Sequence, residues 1–203
     1  MLDVILYATD TMADWEYGYL TTGLAMADQE QPGRFRLRIL ADGRDEVTTA
    51  GRLRLRTDGD IGELAPDRTA ALVLPGADTW FEGQDRVLGL ARTLREQRTP
   101  VAAICGATYG LARAGLLDDR SHTSNAKDFL AASGYAGTDH YLDERVVDDD
   151  GLITAPAYAP VDFSAAVFRR LDLFPSEITD AWYGLYTTGE RRYFDTLAGA
   201  ESA

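Results

Sequence analysis

The sequence predicts an α/β fold: a doubly wound, mostly parallel sheet with helices on both faces. Short apolar runs, typical of buried parallel strands, alternate with segments whose apolar residues recur at helical spacing. Right-handed crossovers between parallel strands then place helices on both faces of the sheet. We expect a single domain over residues 1–203, because this length is enough for one core with a layer on either side.

Local patterns justify the elements of the first half in order. Asp14 is expected to cap a first helix that begins near Trp15. Residues 52–56 alternate strictly between arginine and leucine, which indicates a peripheral edge hairpin with residues 47–49. The other elements follow from apolar runs bounded by glycine or proline: a strand at 2–8, the end of the first helix at 31–33, strands at 35–41 and 70–74, and a helix at 84–97.

The second half continues the alternation. Its predicted elements are a strand at 101–104, a helix at 108–114, a helix near 126–132, a short strand around 146–147, a turn at 148–151, a strand at 152–155 and a helix at 161–171. The tail at 177–198 is rich in aromatic residues. It forms either a last packing helix or a dimer contact, and packing is the preferred interpretation.

The only cysteine of the chain, Cys105, stands where a buried strand turns abruptly into a helix. Gly106 and Ala107 are small enough for a tight strand-to-helix turn. Such an elbow exposes one side chain at the helix N-terminus, where free N–H groups favour a thiolate. A lone cysteine also packs well as a small buried hydrophobe, but the elbow favours a functional thiol.

Composition excludes several classes of function. A net charge of −13 and a pI near 4.5 argue against binding to nucleic acids or to anionic membranes. One cysteine cannot form an internal disulfide, and neither a secretory leader nor a membrane-spanning run is recognisable. We therefore expect a cytoplasmic protein. We also expect no cofactor and no metal, because nucleotide-binding glycine motifs are missing and the two histidines are distant from each other in sequence.

Loops at the ends of three predicted strands should line one crevice, as ligands of parallel sheets bind beyond the carboxyl ends of the strands. The chain is further identified by six short stretches in a specific order, at 13–16, 74–76, 103–107, 111–117, 123–125 and 150–155. These stretches resemble the superfamily of the Parkinsonism-associated deglycase and the PfpI intracellular proteases, relatives of class I glutamine amidotransferase domains. The resemblance implies a flavodoxin-like fold and a homodimer.

The resemblance also assigns roles to individual residues. It implies that Glu16 forms a hydrogen bond with Cys105, and that the backbone N–H groups of Gly76, Ala77 and Gly106 form an oxyanion site. A protonated Glu16 would stabilise the thiolate, whereas an ionised one would repel it, so the pair should titrate as a unit. Without the resemblance, Glu16 is simply an acid that complements the helix dipole and Gly76 a turn glycine.

The sequence departs from this superfamily in its histidines. Gly106 stands where the proteases carry a histidine, and Asn125 stands where deglycase-like members carry one. His122 could turn toward the thiol, although a solvated loop position is preferred, and His140 is expected to be structural or exposed. Amide hydrolysis needs a proton for the leaving nitrogen, so full protease or amidotransferase activity is not expected.

The expected pocket walls include Trp15, Thr108, Tyr109 and Asn125, and further candidates are Trp80 and Phe81. Cys105 and Glu16 then suit addition to a small electrophile such as an aldehyde, a ketoaldehyde or an isonitrile. Two alternatives remain: a non-enzymatic sensor in which an oxidant converts Cys105 to a sulfenic or sulfinic acid, and a scaffold with an inert thiol.

Overall fold

A computed structural model, which describes residues 1–200, confirms the doubly wound α/β fold. The strands are β1 (Leu2–Ala8), β2 (Phe35–Ala41), β3 (Glu46–Thr48), β4 (Arg54–Arg56), β5 (Gly59–Asp60), β6 (Thr69–Leu74), β7 (Val101–Ile104), β8 (Val147–Asp149) and β9 (Leu152–Ala155). The α-helices are α1 (Asp14–Glu30), α2 (Asp85–Glu96), α3 (Gly106–Arg113), α4 (Lys127–Ala131), α5 (Pro160–Arg170), α6 (Ser176–Thr188) and α7 (Arg191–Ala200).

Seven strands form the main sheet in the order β5-β2-β1-β6-β7-β9-β8. All neighbouring pairs are parallel except β8 and β9, which pair antiparallel at one edge. The chain winds outward from β1 in both directions. The carboxyl ends of β1, β6 and β7 therefore meet at one edge of the sheet, as the crevice prediction requires.

Two hydrophobic clusters cover the two faces of the sheet. Because side chains alternate along a strand, Val4 and Leu6 of β1 enter one cluster while Ile5 and Tyr7 enter the other. The first cluster packs α1, α5 and α6 on the sheet, and the second packs α2 and α3 on the opposite face. Both faces of β1 are buried, which explains why its sequence is apolar except for Asp3.

The structure corrects three details of the predicted elements. Asp14 is the first residue of α1 rather than its cap, because its carboxylate accepts the Gly51 N–H over 2.7 Å instead of a helical N–H. The tail forms two helices, which separate at Gly189 in the left-handed region at φ 70°. Strand β8 continues to Asp149, so the turn predicted at 148–151 is confined to residues 150–151.

The hairpin of β3 and β4 forms as predicted, but as a separate two-stranded ribbon and not as an edge of the main sheet. Backbone hydrogen bonds join it to the loop after β1: the Thr11 N–H donates to Thr48, and the Ala50 N–H donates to Met12. The ribbon is thus fixed beside the carboxyl ends of the strands. No helix within residues 1–200 is long and apolar enough to cross a membrane.

Candidate active site

The turn between β7 and α3 presents the Cys105 thiol at the carboxyl end of the sheet. Cys105 has φ 58° and ψ −124°, a conformation that costs a non-glycine residue about 1–3 kcal/mol. Three hydrogen bonds hold it: its N–H donates to the Ala155 carbonyl over 2.9 Å, and the Thr108 hydroxyl and N–H donate to its carbonyl over 2.6 and 3.1 Å. The strained conformation therefore falls on the cysteine itself and not on the small residues after it.

Glu16 lies in the first turn of α1 and reaches the elbow from the neighbouring loop. Its side chain is almost fully buried, with 1% of the residue exposed. The Gly76 N–H donates to its Oε2 atom over 2.6 Å, and the carboxyl group also forms a hydrogen bond with the Cys105 thiol. Burial raises the pKa of Glu16 to about 7, although both hydrogen bonds act to lower it. A large fraction of Glu16 is therefore protonated at neutral pH.

The Cys105 thiol is half-buried, and its surroundings oppose the thiolate that the elbow alone would favour. Burial first, and then the Glu16 carboxylate, raise the pKa of Cys105 to about 11. Hydrogen bonds from Asn125 and from the Gly106 N–H act in the opposite direction. The predicted thiolate preference therefore needs a correction: the thiolate becomes favourable when Glu16 carries the proton that the thiol loses.

Asn125 is a further group that contacts the Cys105 sulfur. Its Nδ2 lies 3.4 Å from the Cys105 Sγ, while its Oδ1 accepts the Ala157 N–H over 2.8 Å. The Ala157 bond fixes the orientation of the amide, so an N–H group faces the sulfur. An amide stabilises negative charge on sulfur in this way, but it has no proton to transfer at neutral pH.

Gly76 packs directly against Cys105 and Glu16. A Cβ atom at this position would lie 2.6 Å from the Cys105 Cβ, 2.9 Å from its Sγ and 2.9 Å from the Glu16 Oε2. Because the Gly76 N–H already donates to Glu16, it is not free to bind a substrate oxygen. Within residues 1–200 no acceptor binds the Ala77 N–H, and the Gly106 N–H points to the sulfur. Near the elbow, the Ala77 N–H is thus unoccupied and the Gly106 N–H is engaged by the sulfur itself.

An open pocket of about 570 Å³ leads to the thiol. Of the predicted wall residues, Trp15, Phe81 and Asn125 line it. Thr108 lies beneath the elbow, with its hydroxyl 2.6 Å from that of Ser124. The remaining predicted residues lie outside the lining: Tyr109 packs against Phe81 and Phe129, and Trp80 is buried with its indole N–H on the Pro75 carbonyl.

His122 is neither solvated nor close to the thiol. It is fully buried, with Nδ1 2.7 Å from the Arg120 carbonyl and Nε2 3.0 Å from the Tyr135 hydroxyl. Burial lowers its pKa, which favours the neutral imidazole. His140 lies exposed in the short 3-10 helix at Thr138–His140, as expected. No histidine lines the pocket in the part of the chain that the structure describes.

The hairpin tip is the wall that the sequence interpretation missed. Residues 48–50 and Arg52 line the pocket, so the ribbon is part of the site and not peripheral. Strict alternation revealed the hairpin itself, but no local pattern indicates where a two-stranded ribbon docks. Within residues 1–200 no group of three or more histidine, cysteine or acidic side chains is placed to hold a metal ion.

Comparison with known proteins gives consistent matches over nearly the whole chain. The sequence matches the DJ-1/PfpI family over residues 3–170. It is 35% identical over 199 residues to the uncharacterized protease YoaZ of Bacillus subtilis (strain 168), covering 96% of this chain and 95% of that protein.

Two solved structures are also similar. The thiJ/pfpI family protein from Bacillus anthracis has a TM-score of 0.90 and 33% identity, covering 97% of this chain and 95% of that one. A DJ-1 superfamily protein from Agrobacterium tumefaciens has a TM-score of 0.79 and 31% identity, covering 94% of this chain and 100% of that one.

Proposed function

The chain belongs to the DJ-1/PfpI family, and on that premise we propose that it is a cysteine-dependent enzyme that acts on small carbonyl electrophiles. One observation carries the proposal: the buried Glu16 carboxyl touches the Cys105 thiol at the inner wall of an open pocket. A carboxyl with a pKa of about 7 can accept and return a proton at neutral pH, which is what general acid–base catalysis requires.

The first chemical step is addition of the thiol to an aldehyde. The sulfur forms a bond to the carbonyl carbon as the π electron pair moves to the oxygen. The thiol proton passes to the Glu16 carboxylate, and Glu16 returns it to the new alkoxide, which gives a neutral hemithioacetal. The N–H groups of Ala77 and Gly106 lie beside the sulfur and would hold the oxygen while it is negatively charged.

A ketoaldehyde allows the reaction to continue without an external oxidant. The Glu16 carboxylate removes the hydrogen from the carbon bonded to sulfur, and the neighbouring ketone carbon then receives a proton. This shift oxidises the first carbon to a thioester and reduces the second to an alcohol. Water then releases a 2-hydroxy acid and restores the Cys105 thiol, so atoms and electrons balance with water as the co-reactant.

Peptide hydrolysis is a weaker assignment for this chain, although relatives are named as proteases. The leaving nitrogen of an amide needs a proton, usually from the base that activated the nucleophile. Asn125 cannot supply one, and His122 is held away from the thiol by Tyr135. Glu16 alone would have to serve both steps, which favours substrates without a poor leaving group.

A second candidate function is reversible oxidation of the thiol as a stress response. The sulfur is surrounded by the Asn125 amide, the Gly106 N–H and the Glu16 carboxyl, all of which can donate to the oxygen of a sulfenate. A peroxide would oxidise the thiol by two electrons to a sulfenic acid and be reduced to water. This function needs a reactive thiol but no turnover of a carbonyl compound.

A 2-oxoaldehyde assay separates these functions. We expect wild-type protein to convert methylglyoxal to lactate, Cys105→Ala to abolish conversion, and Glu16→Gln to reduce it by about 10²–10⁴-fold. The exposed Glu30→Gln on the same helix serves as the charge-matched control and should retain activity. Selective addition of oxygen to Cys105 by peroxide, with no turnover of any small aldehyde, would instead support the sensor.

Homodimer formation and a cytoplasmic location are further parts of this proposal. An exposed apolar face on α1 and α6, which includes Trp15, Met26 and Tyr186, supports a homodimer. Light scattering at micromolar concentration tests it, and a monomer there would exclude it.

A further inference from the structure

Arg52 occupies an unusual place at the tip of the β3–β4 hairpin. Arg52 lines the pocket that contains the thiol, and its backbone has φ 66°, a left-handed conformation uncommon for any residue with a side chain. The tip is firmly attached to the body of the protein, since the Gly51 N–H donates to Asp14 and the Ala50 N–H donates to Met12. Arg52 is therefore held on a fixed wall and not on a free loop.

Among the described residues, none of the other charged groups of the pocket is paired with this cation. Asp10 is neutralised by Arg44, whose Nη1 lies 2.8 Å from the Asp10 carboxylate. Glu16 is buried and hydrogen-bonded to the thiol and to Gly76. Asp78 is the remaining anion of the lining. Within residues 1–200 the Arg52 guanidinium makes no ion pair or hydrogen bond, although the chain carries a net charge of −13.

We infer that Arg52 receives an anionic group of the substrate, so that the preferred substrates are small carbonyl compounds that carry a carboxylate. The planar guanidinium offers paired N–H donors that match the two oxygens of a carboxylate. Asp78 opposes the same group by like charge and so limits the preference. This inference specifies the substrate class of the proposed function. It rests on the proposed function in one respect, because it requires that Cys105 attacks the substrate.

Alkylation of Cys105 by two matched reagents tests the inference without a known substrate. Iodoacetate and iodoacetamide have nearly the same size and react in the same way: a sulfur–carbon bond forms, the carbon–iodine bond breaks and iodide leaves. They differ in that only iodoacetate carries a negative charge. Both reagents react with the same thiolate, so the fraction of thiolate drops out of the ratio of their rate constants. The ratio therefore reports how strongly the pocket attracts or repels a negative charge.

The variants separate a local effect from net charge. Arg52→Gln should lower the iodoacetate-to-iodoacetamide ratio by about three- to tenfold at low salt, and Asp78→Asn should raise it. Arg56→Gln changes the net charge equally, but Arg56 is exposed on the same hairpin and does not line the pocket, so it should leave the ratio unchanged. Circular dichroism shows whether each variant is folded.

Each possible outcome supports or overturns the anion site, the proposed function or both. An equal ratio in wild type and Arg52→Gln, with a reactive thiol, overturns the inference and leaves the proposed function intact. A lowered ratio in a protein that converts no carbonyl compound supports the anion site and overturns the proposed function. A thiol that neither reagent alkylates in the folded protein overturns both.

Discussion

Replacement of Glu16 by glutamine should stabilise the protein in a pH-dependent way. Burial raises the pKa of this carboxyl from 4.5 to about 7, so the folded protein binds its proton more tightly than the unfolded chain does. The stabilising effect of the neutral form is complete below the unfolded pKa and is lost as the pH rises through the folded pKa. Glutamine keeps the size of the side chain and an oxygen for the Gly76 N–H, but it cannot ionise.

The size of the expected stability change follows from the pKa of Glu16 in the unfolded chain and in the folded protein. One unit of difference corresponds to about 1.4 kcal/mol, so ionisation of Glu16 lowers the free energy of unfolding by about 2 kcal/mol at about pH 6 and by about 3 kcal/mol at about pH 8. Other carboxylates, among them Asp14 and Asp162, change stability in the opposite direction with pH. The difference between wild type and variant removes these common contributions.

Urea denaturation of wild type, Glu16→Gln and Glu30→Gln at several pH values between about 4 and 9 measures this difference. We expect the gain in stability of Glu16→Gln relative to wild type to grow by about 3 kcal/mol across the range, with most of the growth below pH 7. The exposed Glu30→Gln control should show no such growth. A Glu16→Gln difference that is constant with pH would refute a buried, easily protonated carboxyl.

Three further predictions concern the site, a half-buried ion pair and one helix. Asn125→Ala should slow alkylation of Cys105 by about three- to tenfold, because the thiolate loses a hydrogen-bond donor worth about 1 kcal/mol. A rate–pH profile that shows the same thiol pKa in wild type and variant would contradict this. Arg145→Met should lower stability by about 2 kcal/mol at neutral pH and by less in acid, because Asp162 is buried and ionised; equal urea midpoints would exclude it. On α1, Gly18→Ala has free space and should stabilise by about 0.5–1 kcal/mol. Gly23→Ala would place a Cβ 2.3 Å from Phe168 and should destabilise by about 1–3 kcal/mol, so thermal shifts of the same sign would refute the packing.

The order of strands and helices could be predicted because each element carries its own pattern. Residues 101–104 are apolar without interruption, and residues 2–8 are apolar except for Asp3. Both strands are buried on both faces in the structure, apart from the exposed Leu2. The elbow at Cys105 follows from a strand and a helix that meet at a single residue. Contact between Glu16 and the thiol was suggested by family resemblance, because no local pattern connects residues that are so distant in sequence.

Other features depend on tertiary contacts that a local pattern does not contain. His122 follows Ser121 in a polar segment, yet it is fully buried because Arg120 and Tyr135 satisfy both ring nitrogens. Asp14 is a residue type that often caps helices, but the docked hairpin supplies a competing N–H and Ala13 precedes the helix instead. The thiolate preference of the elbow is reversed by burial of the thiol and, after that, by the neighbouring Glu16 carboxylate, and both effects depend on tertiary packing.

The proposed oxyanion donors, at Ala77 and Gly106, have a consequence for how such a chain evolves. Both are main-chain N–H groups, so replacement of a side chain does not delete them unless proline enters. Substitution therefore changes a few side chains around two constant main-chain donors, chiefly the residue at position 125 and the residues at the hairpin tip. A scaffold of this kind can acquire a new reaction by exchange of one loop residue, while the nucleophile and its supporting turn persist unchanged.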